Sequence, residues 1–227
     1  KFFDVANTME GVISLGVGEP DFETPWHVRE AAISSLEKGY TSYSSNTGMI
    51  ELRKAIASYL DEKYSISYDP EHQILVTIGA SEGIDISLRA IINPGDEVLV
   101  VEPSYVSYKP CVSMCGGVPI PVVTYEENNF KVTPDEILNK IPPKTKAIIL
   151  PYPNNPTGGI MEIDDLAAIS KVIIENDLLV ISDEIYSELT YGSQHVSIAS
   201  LPGMYERTIV LNGFSKAFAM TGWRLGY

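Results

Sequence analysis

Short apolar runs recur along the chain at residues 74–78, 98–101, 119–123, 147–150, 178–181 and 208–211. They are continuously apolar rather than alternating, the pattern of strands buried on both faces. Between most of them the apolar spacing lengthens to a helical period, at 81–92, 105–115, 134–141 and 163–176, with Thr133 placed to cap the third. Strands of this kind alternating with helices predict an α/β fold, a mostly parallel, doubly wound sheet covered by helices. Upstream, Leu52, Ile56 and Leu60 mark an amphipathic helix over 48–64. Another helix is expected to follow Thr24-Pro25, with Thr24 as its cap and Pro25 in its first turn, ending near Gly39. The remainder of residues 1–45 reads as irregular.

In an open parallel sheet, ligands bind beyond the carboxyl ends of the strands. The distinctive polar residues fall there. Gly79-Ala80-Ser81-Glu82-Gly83 follows the first run and opens a helix, so its amide groups, the helix dipole and the Ser81 hydroxyl form an anion site. The same five residues fit the G-x-S-x-G elbow of a serine hydrolase, and Asp183 and His195 follow in triad order. No glycine-rich oxyanion loop precedes them, however, and that reading gives Lys216 and Arg224 no task. Tyr105 closes the second run with a ring that either caps the core or stacks on a flat ligand. The proline-stiffened loop Pro151-Tyr152-Pro153-Asn154-Asn155-Pro156-Thr157-Gly158-Gly159 presents the Asn155 amide.

Asp183 ends a wholly apolar strand, where a carboxylate is costly without a positive partner. A protonated pyridine nitrogen is one such partner. Tyr186 follows three residues later. In Asn212-Gly213-Phe214-Ser215-Lys216-Ala217-Phe218-Ala219-Met220-Thr221-Gly222-Trp223-Arg224, a hydroxyl, a lysine and an arginine suit a dianionic phosphate. A lysine whose pKa is lowered by its surroundings also forms Schiff bases with aldehydes. Gly16 and Gly18 allow a close backbone approach near the N-terminus.

Composition narrows the partners. The formal charge is −14, from 30 acidic and 16 basic side chains, which disfavours nucleic acid and requires a locally basic pocket for any anion. No apolar run approaches the roughly 18 residues of a membrane span, and no signal peptide opens the chain, so the expected compartment is the cytosol. Cys111 and Cys115 lie on one helix face without further metal ligands and read as small buried hydrophobes. His27, His72 and His195 form no cluster.

Leu15-Gly16-Val17-Gly18-Glu19-Pro20-Asp21, Asn155-Pro156-Thr157-Gly158, Asp183-Glu184-Ile185-Tyr186 and Ser215-Lys216 through Trp223-Arg224 together resemble the class I/II pyridoxal-phosphate-dependent aminotransferases of the aspartate aminotransferase fold, fold type I. The resemblance spans nearly the whole chain. It implies that Lys216 holds pyridoxal 5'-phosphate as a Schiff base and later shuttles a proton, and that Asp183 pairs with the ring nitrogen. It also implies that Asn155 and Tyr186 contact the ring 3' oxygen and that Tyr105 stacks on the ring. The phosphate is expected among Ala80, Ser81, Ser215 and Arg224, with Tyr43 reaching it from the second subunit of a homodimer. Gly18 and Asn155 are expected beside the substrate.

The implied reaction is a ping-pong exchange between an amino acid and a 2-oxo acid. The alternative on the same fold is a carbon–sulfur lyase, and a serine hydrolase using Ser81 is a remote one. By the same resemblance, residues 1–45 form an N-terminal arm and small-domain segment, and residues 46–227 an incomplete cofactor-binding domain. A C-terminal small domain, with the arginine that binds the substrate carboxylate, is expected beyond residue 227, so the 227-residue segment alone is expected to be inactive.

Overall fold

A computed structural model describes residues 8–13, 16 and 18–227. Residues 1–7 of the expected arm, and Ser14, Leu15 and Val17 of the glycine-bearing segment, lie outside the described residues. In chain order the elements are α1 (Trp26–Glu37), α2 (Ile50–Tyr64), α3 (Gly79–Ile91), β1 (Glu97–Glu102), α4 (Tyr108–Met114), β2 (Val118–Val123), α5 (Pro134–Leu138), β3 (Thr145–Leu150), α6 (Ile163–Glu175), β4 (Leu179–Asp183) and β5 (Thr208–Leu211).

The five strands are ordered β2-β1-β3-β4-β5, and every pairing is parallel. Strand order reverses at β1, so a crevice opens beyond the carboxyl ends of β1 and β3.

Strand alternation sorts the core into two layers. Leu99, Val101, Ile148, Leu150 and Val180 pack with Ile137 of α5 and Leu166, Ile169 and Ile173 of α6. Val98, Val100, Ala147, Ile149 and Ile181 face the other way, onto Ile84 and Leu88 of α3 and Tyr108 and Val112 of α4. Burying each such aliphatic side chain contributes about 1.5–3 kcal/mol, so the sheet and its covering helices form the stable frame of the site. A third cluster sets Ile56, Leu60 and Tyr64 of α2 against Ile66 and Ile74.

Several expectations require correction. Residues 74–78 form no strand: Thr77 makes one isolated antiparallel bridge, to Gly226. The run is apolar because Ile74 packs into the α2 cluster, while Ile78 points outward, 63% exposed. Packing, not strand pairing, selected those side chains. Thr24 does not cap α1 either; the cap position is Pro25, and no side chain bonds there. The Thr24 hydroxyl instead donates to the Ala219 carbonyl at 2.6 Å and accepts from the Trp223 indole N–H at 3.0 Å. That pair pins the N-terminal segment onto the Lys216 loop.

Thr133 does cap α5, in a reciprocal capping box with Glu136. The helix expected from Tyr105 begins at Tyr108, leaving Tyr105 in the loop after β1. Cys111 and Cys115 are half-buried rather than buried, and they pack beside the α3–α4 layer. Among the described residues, no helix is long and apolar enough to cross a membrane.

Candidate active site

Asp183 is the last residue of β4 and is 5% exposed. Its Oδ2 accepts from the Tyr108 hydroxyl at 2.8 Å, and its Oδ1 accepts from the Ile185 N–H at 3.2 Å. Both donors are neutral, and no cation pairs with this carboxylate among the described residues. Burial accordingly raises the Asp183 pKa above the ordinary carboxylate value, outweighing the two hydrogen bonds that act the other way. Tyr108, itself buried, has its phenol pushed well above the usual range and stays a neutral donor. The chain thus holds a desolvated carboxylate ready for a buried cation.

Lys216 lies in the loop beyond β5. Its amine donates to the Gly18 carbonyl at 2.8 Å and sits over the Tyr186 ring, 5.6 Å from its centroid. Burial lowers its pKa, Arg224 acts in the same sense, and Glu19 and Tyr105 oppose. The Asn155 amide donates to the Tyr186 hydroxyl at 3.5 Å. Burial raises the Tyr186 pKa, and Asp183 and Tyr105 add to the shift. Tyr105 packs edge-on against Tyr108, with ring centroids 5.6 Å apart. Lys216, Tyr186, Asn155, Asp183, Tyr105 and Gly18 therefore converge on one place beyond the sheet.

The residues expected to bind an anion lie alongside, Arg224 close enough to act on the Lys216 amine. Gly79 opens α3 with a φ of +72°, and a Cβ there would lie 2.6 Å from the Arg224 Nη2. The positive φ favours glycine at this position, and the absent side chain leaves the Arg224 guanidinium room against the first turn of α3. Arg224 donates to the Thr221 carbonyl at 3.1 Å, and no carboxylate pairs with it among the described residues. Ser215 is buried and Ser81 exposed at the first turn of α3. Tyr43 stands fully exposed, and its own chain does not carry it into the cluster.

The site contacts of three side chains were not legible in the sequence. Tyr108 carried no signal beyond lying three residues past Tyr105 on the same turn. Glu19 accepts from the Thr221 hydroxyl at 3.0 Å, and Thr24 makes the pin described above; both hold the Gly18 segment over Lys216.

The hydrolase reading fails on geometry. Asp183 bonds Tyr108 and Ile185, whereas His195 meets Glu184 at 2.9 Å, so Asp183 and His195 form no pair to activate Ser81.

These residues suit pyridoxal phosphate. Among the described residues a buried carboxylate has no cation beside it, which suits a ring nitrogen; an amine of lowered pKa suits an aldehyde; and an arginine with no carboxylate beside it lies at a helix N-terminus, which suits a phosphate.

The family model for aminotransferase class I and II matches residues 10–227. YugH of Bacillus subtilis is 53% identical over 227 residues, covering 100% of this chain and 59% of that protein. An aspartate aminotransferase of Pyrococcus abyssi is 50% identical over 228 residues, again covering 100% of this chain and 59% of its own length. The crystal structure of an aromatic aminotransferase from Pyrococcus horikoshii superimposes with a TM-score of 0.94 at 49% identity, covering 96% of this chain and 59% of that one. The chain thus spans about 59% of the length of these relatives. It belongs to the class I and II aminotransferases, a family that depends on pyridoxal phosphate.

Proposed function

We propose that the whole protein exchanges an amino group between an amino acid and a 2-oxo acid, with pyridoxal phosphate as its cofactor. The observation that carries this reading is the pairing of a buried Asp183 carboxylate with no cation beside it among the described residues with a Lys216 amine of lowered pKa above the Tyr186 ring. Bound pyridoxal phosphate supplies an aldehyde that condenses with amines and a pyridine ring that accepts electrons.

Asp183 would hold the ring nitrogen protonated, with Tyr108 keeping the carboxylate aimed. Asn155 and Tyr186 would donate to the ring oxygen, and Tyr105 would pack against the ring. The α3 N-terminus, Ser81, Ser215 and Arg224 would neutralise the phosphate. The free Lys216 amine would take and return the proton at the substrate Cα. Gly18 leaves the backbone close enough to meet the substrate. Relatives named for aspartate and for aromatic substrates support an amino-acid donor of either kind.

The test is glutamate formation from 2-oxoglutarate by the whole protein, supplied with aspartate or phenylalanine. Release of pyruvate and a thiol from a cysteine conjugate, independent of any oxo acid, would replace this reading with the lyase.

At the phosphate, the Ser81 hydroxyl is one donor among several. Ser81→Ala is expected to weaken cofactor binding by about 1–3 kcal/mol and to leave measurable turnover. Equilibrium dialysis reads the first and the coupled assay the second. Labelling of wild-type Ser81 by a fluorophosphonate in the presence of saturating cofactor would restore the hydrolase.

We also propose that the whole protein is a homodimer in which Tyr43 reaches the partner's phosphate. The support is its full exposure, together with that of Phe22 at 83%, Leu36 at 66% and Tyr40 at 75% on the same segment. Tyr43→Phe is expected to loosen the cofactor without lowering the melting temperature, because it removes one hydroxyl supplied from outside the subunit. A monomer in sedimentation, with full cofactor affinity, would contradict this.

A further inference from the structure

His195 and Glu184 take no part in the roles above, yet they form a complete buried polar network directly behind Asp183. Glu184 is 1% exposed. Its Oε1 accepts from the Ser182 hydroxyl at 2.8 Å and the Ser197 hydroxyl at 2.7 Å. Its Oε2 meets the His195 Nε2 at 2.9 Å. The His195 ring in turn lies edge-on to Tyr64 of α2, with centroids 5.5 Å apart. A buried carboxylate with every oxygen engaged is held rigidly, and removing one partner leaves a costly unpaired charge.

The backbone of Glu184 is fixed as well. Its N–H donates to the Leu211 carbonyl at 2.8 Å, joining the end of β4 to the end of β5, and its carbonyl accepts from Ser187 at 2.9 Å. The Ser187 hydroxyl accepts from the Asn212 amide at 3.0 Å, at the root of the Lys216 loop. Glu184 stands between Asp183 and the turn bearing Tyr186. Strand alternation sends the Asp183 side chain to Tyr108 and the Glu184 side chain to the opposite side, onto the 195–197 segment. Any rotation of the chain at 184 therefore displaces Asp183 and Tyr186 together.

We propose that Glu184 and His195 are a positioning pair that fixes the Asp183 carboxylate and the Tyr186 hydroxyl against the cofactor ring. This rests on the reading that Asp183 meets a ring cation. The pair touches no reacting atom and acts through the backbone on either side of residue 184.

The experiment compares wild type, His195→Leu and His195→Gln in the whole protein, the last retaining a side-chain N–H for Glu184. Three quantities are read: cofactor affinity by dialysis, the pH midpoint of the bound cofactor's absorption, and amide exchange at Ile185 in cofactor-free protein. His195→Leu is expected to weaken affinity by about tenfold, the low end of the loss seen when an outer partner of a ligand-contacting group is removed at metal sites. It is also expected to shift the pH midpoint and to speed exchange at Ile185, while the β1 amides of Leu99 and Val100 stay protected. His195→Gln is expected to stay near wild type in all three. Should His195→Leu fail to fold, Ser197→Ala removes a single donor from Glu184 and is expected to move the same quantities in the same direction. A folded His195→Leu or Ser197→Ala with wild-type affinity, midpoint and Ile185 exchange would overturn the pair. Wild type that binds no cofactor would instead overturn the reading of Asp183 on which the pair depends.

Discussion

Replacing Lys216 by alanine in the whole protein is expected to abolish catalytic turnover while leaving the fold intact. Two contributions disappear together. On the proposed function, one is the amine that would condense with the cofactor and the other the base that would move the substrate Cα proton; the second alone is worth about 10²–10⁴ in rate. The fold should survive because, among the described residues, the amine's hydrogen bond is to Gly18, and Lys216 belongs to none of the three core clusters. The lowered Lys216 pKa supplies a pH signature as well. Only the neutral amine attacks an aldehyde, so condensation with the cofactor is expected to rise as pH climbs towards the depressed value and then level off. The levelling should fall below the pH expected of an ordinary lysine. Stopped-flow absorption after mixing cofactor-free protein with pyridoxal phosphate checks this. Normal turnover by Lys216→Ala would remove the central assignment.

Asp183→Ala is expected to cut turnover by several powers of ten, and Asp183→Glu by less; each tenfold loss corresponds to about 1.4 kcal/mol of barrier. Burial works against ionisation of this carboxylate, and its two donors are neutral. On the proposed reading a ring cation would supply that partner, and the carboxylate would in return keep the ring protonated and able to accept electrons. Glutamate preserves the charge but moves it away from Tyr108. Steady-state rates and cofactor affinity measured on both variants separate loss of chemistry from loss of binding. An alanine variant that binds cofactor and turns over normally would make Asp183 a structural carboxylate.

Most of the frame was legible because buried parallel strands must be continuously apolar, and five of the six apolar runs are strands. The sixth misled because a chain packed against α2 needs the same side chains as a strand; Ile74 is buried by Leu60 and Tyr64 rather than by a ladder. At the site, Lys216, Asp183, Asn155 and Tyr186 were visible because each is a polar residue just past an apolar run or in a stiffened loop. Tyr108 was not, since a tyrosine inside a helix reads as core and nothing local reveals that its hydroxyl reaches Asp183, 75 residues away. Thr24 misled for a related reason. A threonine before proline matches a helix cap, but its hydroxyl is engaged 195 residues away at Ala219. Glu184 was read only as part of a motif with Asp183, because which of two adjacent carboxylates faces a ligand depends on the strand's neighbours on each side.

The most direct measurement is borohydride reduction of the whole protein after incubation with pyridoxal phosphate, followed by mapping of the labelled peptide. The expected result is loss of the cofactor absorption band and a single stable adduct on Lys216, absent from Lys216→Ala. An adduct recovered on Lys171 or any other lysine, with Lys216 unmodified, would contradict the account.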